Sequence, residues 1–186
     1  QATNLEFNLI TGSRGSRNNH VTNLICKLTG AEAALIVNNC SAAVTLVLAA
    51  LARDRAVAVS RGELVEIGGG FRVPDVMSES GAHLVEVGTT NRTRVADYKA
   101  ACRLHDTALL LKVHPSNYKI SGFTEEVSVS ALSDLEVPVV ADLGSGFIDE
   151  GCHWLRDGKP SWLRDEPAVK QTLEAGAALV TFSGDK

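Results

Sequence analysis

Short apolar runs alternate with amphipathic stretches along most of the sequence. Six runs have the length and composition of buried strands, and they occupy residues 33–37, 56–59, 83–87, 107–113, 137–142 and 177–182. Stretches with helical spacing of apolar residues separate them, at residues 21–29, 41–51, 74–80, 95–104, 130–135 and 167–175. This alternation predicts an α/β fold with an open, mainly parallel sheet and helices on both faces.

Residues 1–20 differ from the rest, because they are polar and show little periodicity. We interpret them as an N-terminal arm and residues 21–186 as one domain, since a chain of 186 residues can bury one sizeable core. The sequence stops at Lys186 without a following helix, so we expect that domain to be incomplete.

Composition narrows the function classes. The formal net charge of −4 offers no overall basic surface for nucleic acid. The four cysteines have no CxxC spacing, so we expect reduced thiols and no metal site. No apolar stretch reaches the roughly 18 residues of a membrane span, and we expect a cytoplasmic protein without membrane contact.

Two strand ends carry candidate chemistry. Lys186 follows the last apolar run, where a lysine amine can form a Schiff base with the carbonyl of pyridoxal phosphate. Asp142 closes an earlier strand, and a carboxylate there would keep the pyridine nitrogen of that cofactor protonated. Taken separately, the lysine is typical of a solvated side chain and the aspartate of a turn or a helix cap. Together they favour a cofactor site.

Other polar positions agree with that interpretation. Asn39 and its neighbours lie in a predicted strand-to-helix turn, where free backbone N–H groups favour a phosphate. An ordinary capped turn without a ligand has the same sequence pattern. His114 ends another strand, either as a catalytic group or as a hydrogen-bonded strand end. Arg14 and Arg17 suit an anion, or else belong to a flexible basic loop. Carboxyl ends of parallel strands meet at one edge of a sheet, so we expect four strand-end residues to converge, namely Asn39, His114, Asp142 and Lys186.

Longer blocks of sequence carry a resemblance. They are Ser60-Arg-Gly-Glu-Leu-Val-Glu-Ile-Gly68, Gly88-Thr-Thr-Asn-Arg-Thr93, Asp142-Leu-Gly-Ser-Gly146 and Phe182-Ser-Gly-Asp-Lys186. From about residue 5 to the end, the sequence resembles the bacterial selenocysteine synthases, the L-seryl-tRNA(Sec) selenium transferases. The resemblance implies the large domain of fold-type-I, aspartate-aminotransferase-like enzymes, with pyridoxal 5'-phosphate as cofactor.

The resemblance also implies residue roles. Lys186 would carry the cofactor as an internal aldimine, and Asp142 would pair with its ring nitrogen. The cofactor phosphate would be bound by Asn39, Cys40, Ser41 and Ser183. Asn117 would contact the ring hydroxyl, and Arg14 or Arg17 would bind selenophosphate.

The implied reaction converts seryl-tRNA(Sec) to selenocysteinyl-tRNA(Sec) through a dehydroalanyl intermediate. The implied assembly is a homo-oligomer, either a dimer or a ring of dimers. The sequence departs from the family pattern at Asn38-Asn-Cys-Ser-Ala42, where members usually show Asn-Asn-Asn-Ala-Ala, at Pro115, and over a longer segment at residues 147–162. The tRNA contacts are expected mainly from parts outside this sequence.

Two alternatives remain. A related enzyme could act on a small amino acid or amine without tRNA, and the acidic net charge favours that alternative slightly. A non-catalytic fragment of the same fold is the other alternative.

Overall fold

The computed structural model describes residues 3–67 and 70–185, so Lys186 lies outside the described residues. Its helices and strands follow in the order β1 (Phe7–Asn8), β2 (Ser13–Arg14), α1 (Thr22–Thr29), α2 (Cys40–Leu51), β3 (Ala56–Ser60), β4 (Glu66–Ile67), β5 (Phe71–Arg72), α3 (Val73–Ser80), β6 (His83–Val87), α4 (Val95–Leu104), β7 (Thr107–Val113), α5 (Val129–Ser133), β8 (Val139–Asp142), α6 (Val169–Glu174) and β9 (Leu179–Thr181). Short 3-10 turns occupy Arg17–His20, Arg61–Glu63 and Ser161–Leu163.

Five strands form the central sheet in the order β6-β3-β7-β8-β9, and every neighbouring pair is parallel. In register, Ala58 of β3 lies between Val85 of β6 and Leu110 of β7. All five residues of β3 are buried, which explains its unbroken apolar sequence, because a parallel sheet is covered on both faces. The predicted open, parallel α/β fold is confirmed.

Helices cover both faces of this sheet, as predicted. On one face, Val57 and Val59 pack with Leu48 of α2 and Met77 of α3. On the other, Ala58 belongs to a cluster that contains buried residues of α4, α5, β7 and β8, among them Tyr98, Leu110, Leu132 and Val139. Successive side chains of β3 therefore enter opposite layers of the core, as strand geometry requires.

The strand predicted at residues 33–37 is wrong. These residues have no regular secondary structure, and Leu35 and Ile36 are 64% and 39% exposed. An apolar run becomes a strand only when its backbone groups pair with a neighbour. Among the described strands β9 forms the nearer edge of the sheet, and a groove lined by residues of both segments lies between β9 and residues 33–37.

The helix predictions hold to within a few residues. α1 and α3 end at Gly30 and Gly81, which take the left-handed conformation at φ 79° and φ 82°. The described part of the N-terminal arm is more ordered than predicted, because β1 and β2 pair as an antiparallel hairpin. Within the described ranges, no helix has the length and apolar character needed to cross a bilayer.

Candidate active site at the carboxyl edge of the sheet

The carboxyl ends of β8 and β9 and the start of α2 meet at the groove, whose volume is about 1770 Å³. Polar residues from these elements that line it are Asn38, Asn39, Cys40, Ser41, Asp142, Thr181, Ser183 and Asp185. Five of the predicted site residues, Asn39, Cys40, Ser41, Asp142 and Ser183, thus line one groove. His114 and Asn117 are not among the described residues that line it.

Asp142 is the last residue of β8 and is 3% exposed. Its Oδ1 accepts hydrogen bonds from Thr181 Oγ1 at 2.9 Å and from Cys40 Sγ at 3.2 Å. Burial raises the pKa of Asp142 above its ordinary value, while the hydrogen bonds from Cys40, Thr181 and the Gly144 backbone and the charge of His114 act in the opposite direction. The sequence indicated Asp142, but nothing in it indicated Thr181.

α2 begins at the groove. Asn39 is its N-cap residue, with extended backbone, and its side-chain oxygen accepts from the Ala42 N–H at 2.8 Å. Cys40 and Ser41 form the first turn of this helix of 12 residues. The positive end of the helix dipole therefore lies where an anionic group of a ligand would enter.

The segment after β9 forms the other wall of the groove. Ser183 is 9% exposed, and its Oγ donates to Asp185 Oδ1 at 2.5 Å. The predicted cofactor lysine, Lys186, is the next residue and lies outside the described part of the chain.

His114 follows β7 and contacts a carboxylate that sequence analysis missed. Its Nε2 is 3.3 Å from Glu166 Oε2, and Ser145 Oγ donates to the other oxygen of Glu166. Glu166 comes from the irregular segment before α6, where no local pattern predicts a partner for a residue about 50 positions away. The backbone N–H of His114 donates to the Asp142 carbonyl, which holds the residue beside the end of β8, while its ring contacts Glu166.

Asn117 is exposed in the loop after β7. The same loop approaches the glycine-rich turn after Asp142, where Gly144 has φ 73° and a Cβ atom there would lie 2.7 Å from Ser116 Oγ. The left-handed backbone at position 144 favours glycine, and any larger residue there would force the Ser116 side chain to shift.

Arg14 and Arg17 lie on the N-terminal segment with exposed side chains. Both pair with Glu6, at 3.0 Å for Arg14 Nη2 and 2.6 Å for Arg17 Nη2. The hydrogen bond and charge of Arg17, with the hydrogen bond of Arg14, lower the pKa of Glu6. Neither arginine is among the described residues that line the groove.

A buried ion pair holds the loop after β3 against the end of β7. Glu63 accepts from Lys112 Nζ at 2.7 Å and from the Val113 N–H at 2.9 Å. Burial raises the pKa of Glu63, and Lys112 opposes that rise. Burial lowers the pKa of Lys112, but the charges and hydrogen bonds of Glu63 and Glu126 together outweigh burial and raise it. Sequence analysis missed this clamp, because its partners are 49 positions apart.

Solved structures share the fold. D-Glucosaminate-6-phosphate ammonia-lyase matches with a TM-score of 0.67 at 21% identity, over 89% of this chain and 43% of that chain. Serine palmitoyltransferase from S. paucimobilis matches with a TM-score of 0.58 at 13% identity, over 96% of this chain and 42% of that chain. These likenesses confirm the predicted fold class.

Sequence relatives identify the family. The L-seryl-tRNA(Sec) selenium transferase of Geobacter metallireducens is 56% identical over 188 residues, which cover 99% of this chain and 39% of the relative. The Haemophilus influenzae protein of the same name is 53% identical over 98% of this chain and 39% of its own length. The chain thus spans about two fifths of these relatives. A family profile described as SelA, L-seryl-tRNA selenium transferase, matches residues 1–186. The chain belongs to the L-seryl-tRNA selenium transferase family.

Proposed function

We propose that the full-length protein containing this chain is a pyridoxal-phosphate-dependent enzyme that converts seryl-tRNA(Sec) to selenocysteinyl-tRNA(Sec), with selenophosphate as selenium donor. The observation that carries this proposal is the buried carboxylate of Asp142 at the carboxyl edge of the sheet, in a chain 56% identical to a protein named for that activity. The small-substrate alternative is decided by the experiment below.

The groove fits pyridoxal phosphate. Asp142 offers a carboxylate for the ring nitrogen. The start of α2 offers the positive end of a helix dipole for the phosphate. Cys40, the first residue of α2, precedes Asp142 by 102 positions, yet both residues line the same groove. We assign the phosphate to Asn39, Cys40, Ser41 and Ser183, the ring hydroxyl to Asn117 and the aldehyde carbon to the amine of Lys186. The cofactor, when bound, supplies an electron sink for a carbanion at the substrate Cα.

Asp142 would keep the ring nitrogen protonated. Because burial raises its pKa, this carboxyl holds its proton more readily than an exposed aspartate when no cation lies beside it. A protonated ring nitrogen at this position favours the ionised carboxylate by charge and by hydrogen bonding. His114 acts in the same direction, and Glu166 holds His114 in place.

Lys186 is proposed to remove the proton from the seryl Cα once its amine is free. A lysine can act as a base near neutral pH only if its pKa is lowered by desolvation or by nearby cations.

Arg14 and Arg17 are proposed to bind the anionic selenium donor. Their guanidinium groups already converge on one carboxylate, Glu6, and a phosphate presents a comparable pair of acceptor oxygens to an arginine fork. Donor binding would therefore replace Glu6 as the partner of these arginines.

The partners of the full-length enzyme follow from the same proposal. With a net charge of −4, this chain has no overall basic surface, so we assign the main tRNA contacts to the remaining polypeptide. We also propose a cytoplasmic homo-oligomer, a dimer or a ring of dimers.

The test uses full-length protein, seryl-tRNA(Sec) and selenophosphate, with selenocysteinyl-tRNA(Sec) quantified after each reaction. The wild type is expected to form product, Lys186→Ala to form none, and the exposed-lysine control Lys99→Ala to match the wild type. Turnover of free serine or a small amine by the wild type, with seryl-tRNA(Sec) untouched, would establish the alternative.

A further inference from the structure

The thiol of Cys40 lies against the carboxylate proposed to hold the cofactor ring. Cys40 is the first residue of α2 and Asp142 the last of β8, and the tertiary fold brings Sγ to 3.2 Å from Oδ1. Thr181 Oγ1 donates to the same oxygen at 2.9 Å. Two side-chain donors from two elements therefore converge on Oδ1, and neither of these hydrogen bonds uses Oδ2.

We propose that Cys40 is a positioning residue for Asp142, holding Oδ1 so that Oδ2 faces the ring nitrogen of the cofactor. This inference rests on the proposed function. It gives the Cys40 side chain a role distinct from the phosphate contact that the sequence suggested, and it leaves the backbone of the first turn of α2 for the phosphate.

The physical reason lies in the burial of Asp142. A carboxylate that is 3% exposed needs donors to remain ionised, and a rotated carboxylate would offer the ring nitrogen a misaligned oxygen. A thiol can give one S–H donor but can also ionise, and a thiolate beside a carboxylate is disfavoured. In this contact the thiol is therefore the donor and Asp142 Oδ1 the acceptor.

Other titratable groups among the described residues lie near this contact. His114 follows β7 and acts on Asp142 by its charge, Glu166 pairs with His114, and Asp185 lies on the same groove. Asp142→Asn removes one negative charge beside the Cys40 thiol and leaves the residues His114, Glu166 and Asp185 in place.

The first test measures alkylation of each cysteine by iodoacetamide at neutral pH, using cofactor-free full-length protein and peptide mass spectrometry. In Asp142→Asn, the rate at Cys40 is expected to rise about tenfold over the wild type, because removing a neighbouring negative charge lowers a thiol pKa by about one unit or more. Half-buried Cys26 and Cys102 are the internal controls and should not change. An unchanged Cys40 rate in a folded variant would overturn the proposal.

The second test keeps Asp142 and measures the dissociation constant of pyridoxal phosphate. Cys40→Ala is expected to weaken binding about three- to tenfold, as for loss of one hydrogen bond, whereas Cys40→Ser, which retains a donor, stays within about twofold of wild type. Equal constants for the two variants would overturn the positioning role. If the wild type bound no cofactor at all, the proposed function would fail, and the alkylation rates would still decide whether Cys40 and Asp142 are in contact.

Discussion

Residues 33–37 and β3 carry almost the same apolar pattern, yet only β3 is a strand. All five residues of β3 are buried, and it pairs with β6 on one side and β7 on the other. Residues 33–37 have no regular structure, and Leu35 is 64% exposed. Both segments are followed by a polar turn, so the local sequence does not distinguish the run that forms a strand from the run that does not.

Apolar periodicity therefore indicates a preference for burial, whereas strand formation also requires a neighbouring strand whose backbone can form hydrogen bonds with it. β3 finds two such partners within the described residues. Residues 33–37 instead line the groove that contains the candidate site.

Leu110→Ala should give the largest loss of stability. Leu110 is fully buried, opposite Ala58 in the centre of the sheet, and a buried leucine truncated to alanine costs about 2–5 kcal/mol. Urea unfolding of the 186-residue chain, followed by circular dichroism, measures the change. A loss below about 1 kcal/mol would contradict the central position of β7.

Glu63→Ala removes the buried ion pair with Lys112 and the hydrogen bond from the Val113 N–H. Lys112 would be left in a largely buried position without its main partner, and the Val113 N–H would lose its acceptor, so we expect a loss of about 2–4 kcal/mol. The matched control is Arg55→Ala, which breaks an exposed pair with Asp106 and should leave the urea midpoint unchanged. Equal midpoints for the two variants would show that the clamp contributes nothing.

Asp142 and Asp149 should respond to pH with opposite sign. Burial raises the pKa of Asp142 above 3.8, so its contribution to stability is present below about pH 4 and is lost as pH rises through the folded-state pKa. The Gly151 N–H, Gln171 and Lys170 lower the pKa of Asp149 to about 2, so its contribution is present above about pH 4 and is lost as pH falls towards 2.

Unfolding midpoints of cofactor-free wild type, Asp142→Asn and Asp149→Asn between about pH 2 and 7 measure this difference. The wild type should lose stability relative to Asp142→Asn as pH rises, and relative to Asp149→Asn as pH falls. The same sign for both variants would contradict the burial of Asp142.

Leu35→Ala should have the smallest effect. Because this side chain is 64% exposed in the 186-residue chain, truncation is expected to change stability by less than about 0.5 kcal/mol. A loss as large as that of Leu110→Ala would show that residues 33–37 are packed as a strand after all.

Sequence predicted the parts of the site that are local. Asp142 closes an apolar run and Asn39 precedes an apolar helix, and both signals are contained within a few residues. Glu166 beside His114, Glu63 beside Lys112 and Thr181 on Asp142 are contacts between distant segments, which no periodicity encodes. The roles of Lys186, Arg14 and Arg17 stay predictions that rest on the family.

The most direct test of the proposed cofactor site is the visible absorption of full-length protein after incubation with pyridoxal phosphate and removal of the unbound cofactor. The wild type should retain a cofactor band that Lys186→Ala lacks, because the covalent attachment is assigned to that amine. Asp142→Asn should bind more weakly and show a displaced band, since its side chain cannot keep the ring nitrogen protonated. A folded wild type without a band, or a Lys186→Ala variant whose band equals that of the wild type, would contradict the assignment of this groove as the cofactor site.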